Sequence, residues 1–318
     1  MPSGPLAAAL AYICWGLFPL YIKQVQTVPA LEIVVHRSLW SLVFVLMLLA
    51  VLRRFAWLPP VLKQPRVLGR FALTALLLSC NWLVYVWAVN HDRLLDASLG
   101  YFINPLVSVL LGYVVLHERP RAWQWLAVAL AAAGVLWLTI AAGQLPWVSL
   151  ILAISFGVYG LLRKTATLGA MEGLALETLL LAPLTLALLA WTQWRGDAAF
   201  AHGALSTDLW LLAAGPFTAI PLLLFGMAAR RCSLATLGIL QYLGPTIQFV
   251  LGIYLYHEPF SPVRGIGFVL IWSGLVVYSA ESLWRYRRAA RATANLQAAR
   301  TAGKPTTGEP TPAKPTPT

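Results

Sequence analysis

Polar residues interrupt this chain rarely and in short blocks. Between the blocks lie ten apolar runs of about 17–23 residues, at roughly 4–22, 32–52, 70–90, 96–116, 122–140, 147–162, 171–191, 209–228, 234–256 and 264–282. A helix rises 1.5 Å per residue, so about 20 residues cross a hydrocarbon core about 30 Å thick. The pattern predicts an all-α membrane protein with ten transmembrane helices. The connections are brief, which makes neighbouring helices antiparallel. The longest loops are 53–69 and 192–208.

One run occurs twice. Residues 97–120 read ASLGYFINPLVSVLLGYVVLHERP, and from Ala235 the chain reads ATLGILQYLGPTIQFVLGIYLYHEPF. Both carry Leu-Gly at the start, a proline in the middle (Pro105, Pro245), a later glycine (Gly112, Gly252) and a His-Glu stop (His117-Glu118, His257-Glu258). A shift of 140 residues also aligns Glu32 with Glu172, Arg37 with Glu177 and Gly134 with Gly274. Each half then holds five spans, an odd number, so the second enters the membrane from the opposite side. The expected architecture is an inverted-topology repeat, 1–143 and 144–284, followed by a basic extension and a Pro/Thr-rich tail over 285–318. From Thr301 onward the tail is expected to be disordered. Inverted halves can exchange packings and open the centre to each side in turn, which favours transport.

Composition sharpens the class. The 318 residues are 59% hydrophobic and 11% charged, with a mean hydropathy of +0.74. A soluble domain carries about 25% charged residues, so this chain could not cover its own globule in water. The net charge is +12. With the N-terminus placed inside, eighteen of the 23 Lys and Arg fall on one side, and only Lys23, Arg93, Arg195 and Arg264 on the other. The positive-inside rule then puts both termini in the cytoplasm of a multi-pass cell-membrane protein. The basic charge sits in membrane loops and implies no nucleic acid. The N-terminus lacks a signal-peptide pattern, so the first run is expected to stay as a helix. Cys14, Cys80 and Cys232 are far apart and form no CxxC, so neither a metal site, a cofactor site nor a disulfide framework is expected.

The second expected span carries the only basic residue well inside a run, Arg37, beside His36. Polar groups at membrane depth mark a lined cavity or an interhelical bond. Counting about ten residues into each span puts Trp15, Asn81, Trp82, Asn104, Pro105 and Tyr159 near the midplane, with Gln241, Tyr242 and Pro245 within about a turn. The candidate substrate cavity is Trp15, Asn81, Trp82, Tyr85, Tyr101, Asn104, Tyr159, Gln241 and Tyr242, with Pro105 and Pro245 as hinges. Depth separates Arg37 from Glu177 by roughly 15 Å. The expectation is therefore two gates. Arg37 with Asp96 or Asp92 forms the outer one, with His36 beside it. Glu177 with Arg163, Lys164, Arg230 or Arg231 forms the inner one. Glu32, Glu118, Glu172 and Glu258 read as boundary residues that fix short loops.

Local motifs resemble a known family. They are Tyr12-Ile13-Cys14-Trp15-Gly16, His36-Arg37-Ser38-Leu39-Trp40-Ser41, Asn81 to Asn90, and Leu95-Asp96-Ala97-Ser98-Leu99-Gly100-Tyr101-Phe102-Ile103-Asn104-Pro105-Leu106. The second half adds Ser155-Phe156-Gly157, Leu176-Glu177-Thr178 and Gly244-Pro245-Thr246. Together they resemble the chloramphenicol-sensitive RarD-type permeases of the EamA-like drug/metabolite transporter superfamily, over about residues 5–285. The resemblance implies ten helices around a central cavity lined by the first to fourth and sixth to ninth, with the fifth and tenth peripheral. It implies export or permeation of a small metabolite or drug. The runners-up are a membrane-embedded lipid-modifying enzyme and a pore-type channel. Against the enzyme, His117-Glu118-Arg119-Pro120-Arg121 lacks the second His of a zinc protease motif, and no GxxxxGK[ST] is present to use ATP. The expected partners are a small-molecule substrate and the lipid bilayer; monomer and homodimer are both open.

Overall fold

The computed structural model describes residues 3–90, 94–143, 147–255 and 262–302. Within them the chain is helical: α1 (Gly4–Gly16), α2 (Phe18–Ile22), a 3-10 turn (Lys23–Val25), α3 (Ala30–Val51), α4 (Leu58–Leu62), α5 (Pro65–Asn90), α6 (Leu94–Leu116) and α7 (Ala122–Ala142). Then come α8 (Trp147–Lys164), α9 (Ala170–Arg195), α10 (Leu205–Arg231), α11 (Leu234–Gln241), α12 (Leu243–Tyr254) and α13 (Pro262–Ala302). Eight helical stretches among the described residues are long and apolar enough to cross a membrane, and Gly100–Leu116 is a shorter apolar helix. The exterior is apolar too: Val51, Ile140, Leu205 and Val276 each lie more than 60% exposed. Such a surface is stable against lipid rather than water. The molecule is an all-α, multi-pass membrane protein.

Two expected spans are broken by proline chemistry. Pro19 has no N–H to give the Trp15 carbonyl four residues back, and α1 stops at Gly16. Gln248 Nε2 of α12 donates to that freed carbonyl at 3.1 Å. In the second copy of the repeat, α11 ends at Gln241, and Pro245 sits in the first turn of α12, where a missing N–H costs nothing. In the first copy, α6 runs through Pro105 without interruption. The two prolines expected as matching hinges therefore occupy different local structures.

Small residues let the helices touch. A Cβ on Gly134 (α7) would lie 2.7 Å from the Gly267 carbonyl oxygen of α13, and one on Gly274 would lie 2.6 Å from that of Ala127. Gly215 (α10) has the Trp40 carbonyl of α3 at 2.4 Å from the same point, and Gly238 (α11) has that of Pro105 at 2.6 Å. In lipid, close backbone approach replaces the hydrophobic drive that packs helices in water.

One end of the bundle gathers charge. His117 terminates α6 in the left-handed conformation (φ 52°), and the Glu118 amide returns to the Gly112 carbonyl at 3.0 Å. This turn aims the Glu118 carboxylate at the start of α11, where it accepts from Leu234 N (3.0 Å) and Ala235 N (3.4 Å). An anion at a helix N-terminus meets unpaired N–H groups and the positive end of the dipole. Lys164, at the end of α8, pairs with Glu118 at 3.5 Å and donates to the Cys232 carbonyl. Arg70 of α5 donates to Thr165, and Arg230 to the Leu168 carbonyl at 2.7 Å. Glu118 thus joins three elements, where the sequence alone suggested a local helix stop. Glu258, its counterpart in the repeat, lies outside the described residues.

Candidate functional site

Arg37 sits on the second turn of α3, about 10 Å from its start at the helical rise. It is 5% exposed. The Gly215 approach brings α10 against this turn, and Thr218, one turn further along α10, accepts from Arg37 Nε at 2.8 Å. Ser41 Oγ bonds the Arg37 carbonyl (2.5 Å) and the Gly215 carbonyl (3.2 Å), tying the two helices together. The guanidinium carbon lies 3.5 Å from the ring centroid of Trp82 (α5) and 4.7 Å from that of Phe18 (α2). Both are cation–π contacts. Trp82 leads edge-on to Tyr85 (5.6 Å), and Tyr85 to Tyr101 of α6 (6.0 Å). The result is a guanidinium walled by rings from three helices.

The Arg37 Nη atoms are different. Among the described residues they make no hydrogen bond and have no carboxylate within ion-pair reach. The Tyr85 and Tyr101 hydroxyls likewise make no hydrogen bond among the described residues. One turn along α6 from Tyr101, Asn104 is 3% exposed and its Oδ1 has no partner. Of the partners expected for Arg37, Asp92 and the side chain of Asp96 lie outside the described residues.

His36 points away from Arg37, as consecutive helical residues must, about 100° apart. Its Nδ1 accepts from Trp40 Nε1 at 3.0 Å, and its ring lies 4.8 Å from that of Phe200. Glu32, 3.7 Å from His36 Nε2, accepts from Ala199 N and Phe200 N, each at 2.9 Å. This closes the α9–α10 turn onto α3. Glu32 is 3% exposed and bridges segments far apart in sequence, so it fixes more than its own loop.

Nearer the Glu118 end lies the second charged cluster. Arg163 Nη1 of α8 is 3.6 Å from Glu177 Oε1 of α9, with side chains 2% and 1% exposed. Tyr159 donates to the other carboxylate oxygen at 3.4 Å, and Arg163 Nη2 donates to the Ala170 carbonyl at 2.9 Å. The arginine reaches this position through gaps at Gly173 and Gly226, where any Cβ would strike its Nη atoms. Between the two clusters lies a block of rings. Trp15, Phe156 and Phe225 pack at 5.3–5.8 Å, and Tyr159 stacks on Phe225 at 6.0 Å. This is core-like aromatic packing, and Tyr12 joins it on Trp15 and Phe225 with its hydroxyl buried and unbonded among the described residues.

The structure brings together Arg37, Trp82, Tyr85 and Tyr101, with Asn104 adjoining along α6. It places the other candidates elsewhere. Asn81 donates to the Leu152 carbonyl and to Ser155 Oγ, both at 2.9 Å, as an α5–α8 tie. Tyr159 belongs to the Glu177 cluster. Tyr242 is 1% exposed and donates to the Phe102 carbonyl at 3.2 Å, inside a cluster with Phe268 and Ile271. Gln241 is buried at the α11 break. Trp15 is in the ring block. Phe18, Thr218 and Phe225 escaped the sequence reading, and Phe156 entered it only within the Ser155-Phe156-Gly157 motif. The one available signal was Pro19, which breaks the first span and turns Phe18 inward. A laterally open groove at the helix ends, lined by Arg119, Arg121, Arg285 and Arg288, is a separate feature. There Glu281 already pairs with Arg121 (3.3 Å) and Arg285 (2.5 Å).

Comparison with known proteins adds context. The model of the EamA-like transporter family matches twice, over residues 2–140 and 146–280. The chain is 46% identical to Protein RarD of Streptomyces exfoliatus, over 93% of each chain. It is 45% identical to an uncharacterized transporter of Pseudomonas aeruginosa, over 90% of this chain and 95% of that protein. A solved crystal structure superposes with a TM-score of 0.67 at 20% identity, covering 87% of this chain and 98% of its own, which speaks to the fold alone.

Proposed function

The chain belongs to the EamA-like transporter family, and from that premise we propose that it carries a small metabolite or drug across the cytoplasmic membrane by alternating access, in the export direction. It is a transporter rather than an enzyme. In this reading ten spans form two inverted five-helix repeats, 1–143 and 144–284, with both termini cytoplasmic and 285–318 a cytoplasmic extension. The α1–α2 and α11–α12 pairs each count as one broken span. A symmetry in the packing supports the repeat. The Gly134 contact on the Gly267 carbonyl recurs, with both members shifted by 140 residues and the helices exchanged, as Gly274 on Ala127. A two-fold axis between the halves produces such an exchange.

The observation that carries the mechanism is the contrast between the two charged clusters. Arg163–Glu177 is a closed ion pair backed by the ring block, while the Arg37 Nη atoms and the Tyr85 and Tyr101 hydroxyls are unused donors among the described residues. In this reading the structure is the outward-open state. As the outer side closes, the inner side then opens, parting α8 from α9 at Arg163–Glu177 and one repeat from the other at Glu118–Lys164. Without a phosphate-binding loop in the sequence, solute or ion gradients drive the cycle.

The test is counterflow in proteoliposomes. A panel of amino acids, amphenicols and other metabolites is screened with and without a pH gradient. Saturable uptake of at least one solute, accelerated by the same solute inside, supports the carrier. Flux that never saturates shows a channel, and no protein-dependent flux removes the reading.

A further inference from the structure

We propose that the Arg37 site binds an organic monoanion, its carboxylate on the guanidinium edge and its apolar body against the aromatic wall; this rests on the permease reading. Arg37 is 5% exposed, and a buried guanidinium is costly unless its charge is balanced and its donors are used. Among the described residues one donor of five is used, on a neutral hydroxyl. The described acids that could reach inward are engaged elsewhere: Glu32 by Ala199 and Phe200, Glu177 by Arg163, Glu118 by Lys164 and the α11 start. Among the described residues no acid balances the charge at Arg37.

Geometry restricts that partner. Trp82 and Phe18 occupy two sides of the guanidinium, their centroids 3.5 and 4.7 Å from its carbon and 6.2 Å from each other, and Thr218 takes Nε, so the Nη atoms are what an anion meets. Two parallel N–H groups of a guanidinium match a planar carboxylate. The Tyr85 and Tyr101 hydroxyls, which make no hydrogen bond among the described residues, lie close enough to interact electrostatically with Arg37 and add further donors. One cation balances one charge, so a dianionic phosphate would leave net charge in a site of low polarity. The rings of Trp82, Tyr85 and Tyr101 then supply the apolar surface that holds the remainder of the solute.

The experiment uses the purified full-length protein and an isosteric pair, radiolabelled 3-phenylpropionate and 3-phenylpropionamide, in equilibrium dialysis at fixed ionic strength. The acid is expected to bind at least about tenfold more tightly than the amide, the size of a charge-assisted hydrogen bond. Arg37→Gln should bring the ratio to about one with amide binding unchanged. Arg37→Lys, which keeps the charge and loses the fork, should retain only part of it. Asp96→Asn should leave the preference intact. A wild-type protein with no preference for the acid, whether both probes bind or neither does, overturns the proposal. So does a preference that survives Arg37→Gln, or one that emerges only in Asp96→Asn, which would mean that Arg37 is neutralised within the chain. If Arg37→Gln fails to fold, the wild-type ratio and Arg37→Lys still decide. The same pair in counterflow separates the two readings. Equal flux of acid and amide removes the anion site and keeps the permease, whereas charge-selective binding with no flux does the reverse.

Discussion

Replacing Glu177 by Ala strands Arg163 in the interior. The Arg163–Glu177 separation is 3.6 Å, and both side chains are at most 2% exposed. At an effective dielectric of about 20, two unit charges at that distance attract by about 4–5 kcal/mol. Mutational loss of one partner from a buried pair runs to about 3–5 kcal/mol. Arg163 keeps its bond to the Ala170 carbonyl and its place near the Phe71 ring (5.7 Å), which puts the expected loss near the lower end, about 3 kcal/mol. The double variant Arg163→Met with Glu177→Leu removes both charges together and should return to within about 1 kcal/mol of the parent. The assay is reversible unfolding in mixed dodecyl maltoside and SDS micelles, followed by tryptophan fluorescence. Transport is measured in parallel. The account expects the double variant to recover stability without recovering transport, because the pair serves the switch more than the fold. A loss below about 1 kcal/mol in Glu177→Ala, or a double variant as unstable as the single one, refutes the reasoning.

Three further outcomes follow from packing and backbone geometry. His117→Gly relieves a left-handed residue that closes α6 and should raise stability by about 0.5–1 kcal/mol in the same assay. Gly274→Leu drives a side chain into the Ala127 carbonyl and should cost about 1–3 kcal/mol, since backbone cannot move aside as a side chain does. Glu32→Gln weakens the carboxylate that accepts from the Ala199 and Phe200 amides. Hydrogen exchange at those two positions should accelerate by about tenfold or more, while amides of the α7–α13 contact stay unchanged.

The all-α membrane class was legible because the apolar runs exceed what a soluble helix needs. The breaks at Leu17 and Tyr242 were less legible: a mid-run proline can kink a helix or end it, and neighbouring helices decide which. Arg37 stood out as the lone cation deep in a run. Its neighbours did not, because Phe18 and Thr218 are neutral residues in apolar sequence with no spacing that marks them. Glu118 and Glu32 read as boundary residues since their partners are backbone amides more than a hundred positions away. Tyr159 and Tyr242 shared the expected depth of the cavity residues, but depth fixes position along a helix and leaves its facing undetermined. Contacts on adjacent helices turned both into sealed packing.

Sidedness of access to the centre tests the central claim most directly. In a background with Cys14, Cys80 and Cys232 replaced by Ser, a single Tyr85→Cys reporter is exposed to a membrane-impermeant maleimide from either face of oriented vesicles. The account predicts labelling from the external face in the parent, and a shift of labelling to the cytoplasmic face when Glu177→Ala opens the inner cluster. Equal labelling from both faces at once, or sidedness that ignores Glu177, would contradict alternating access.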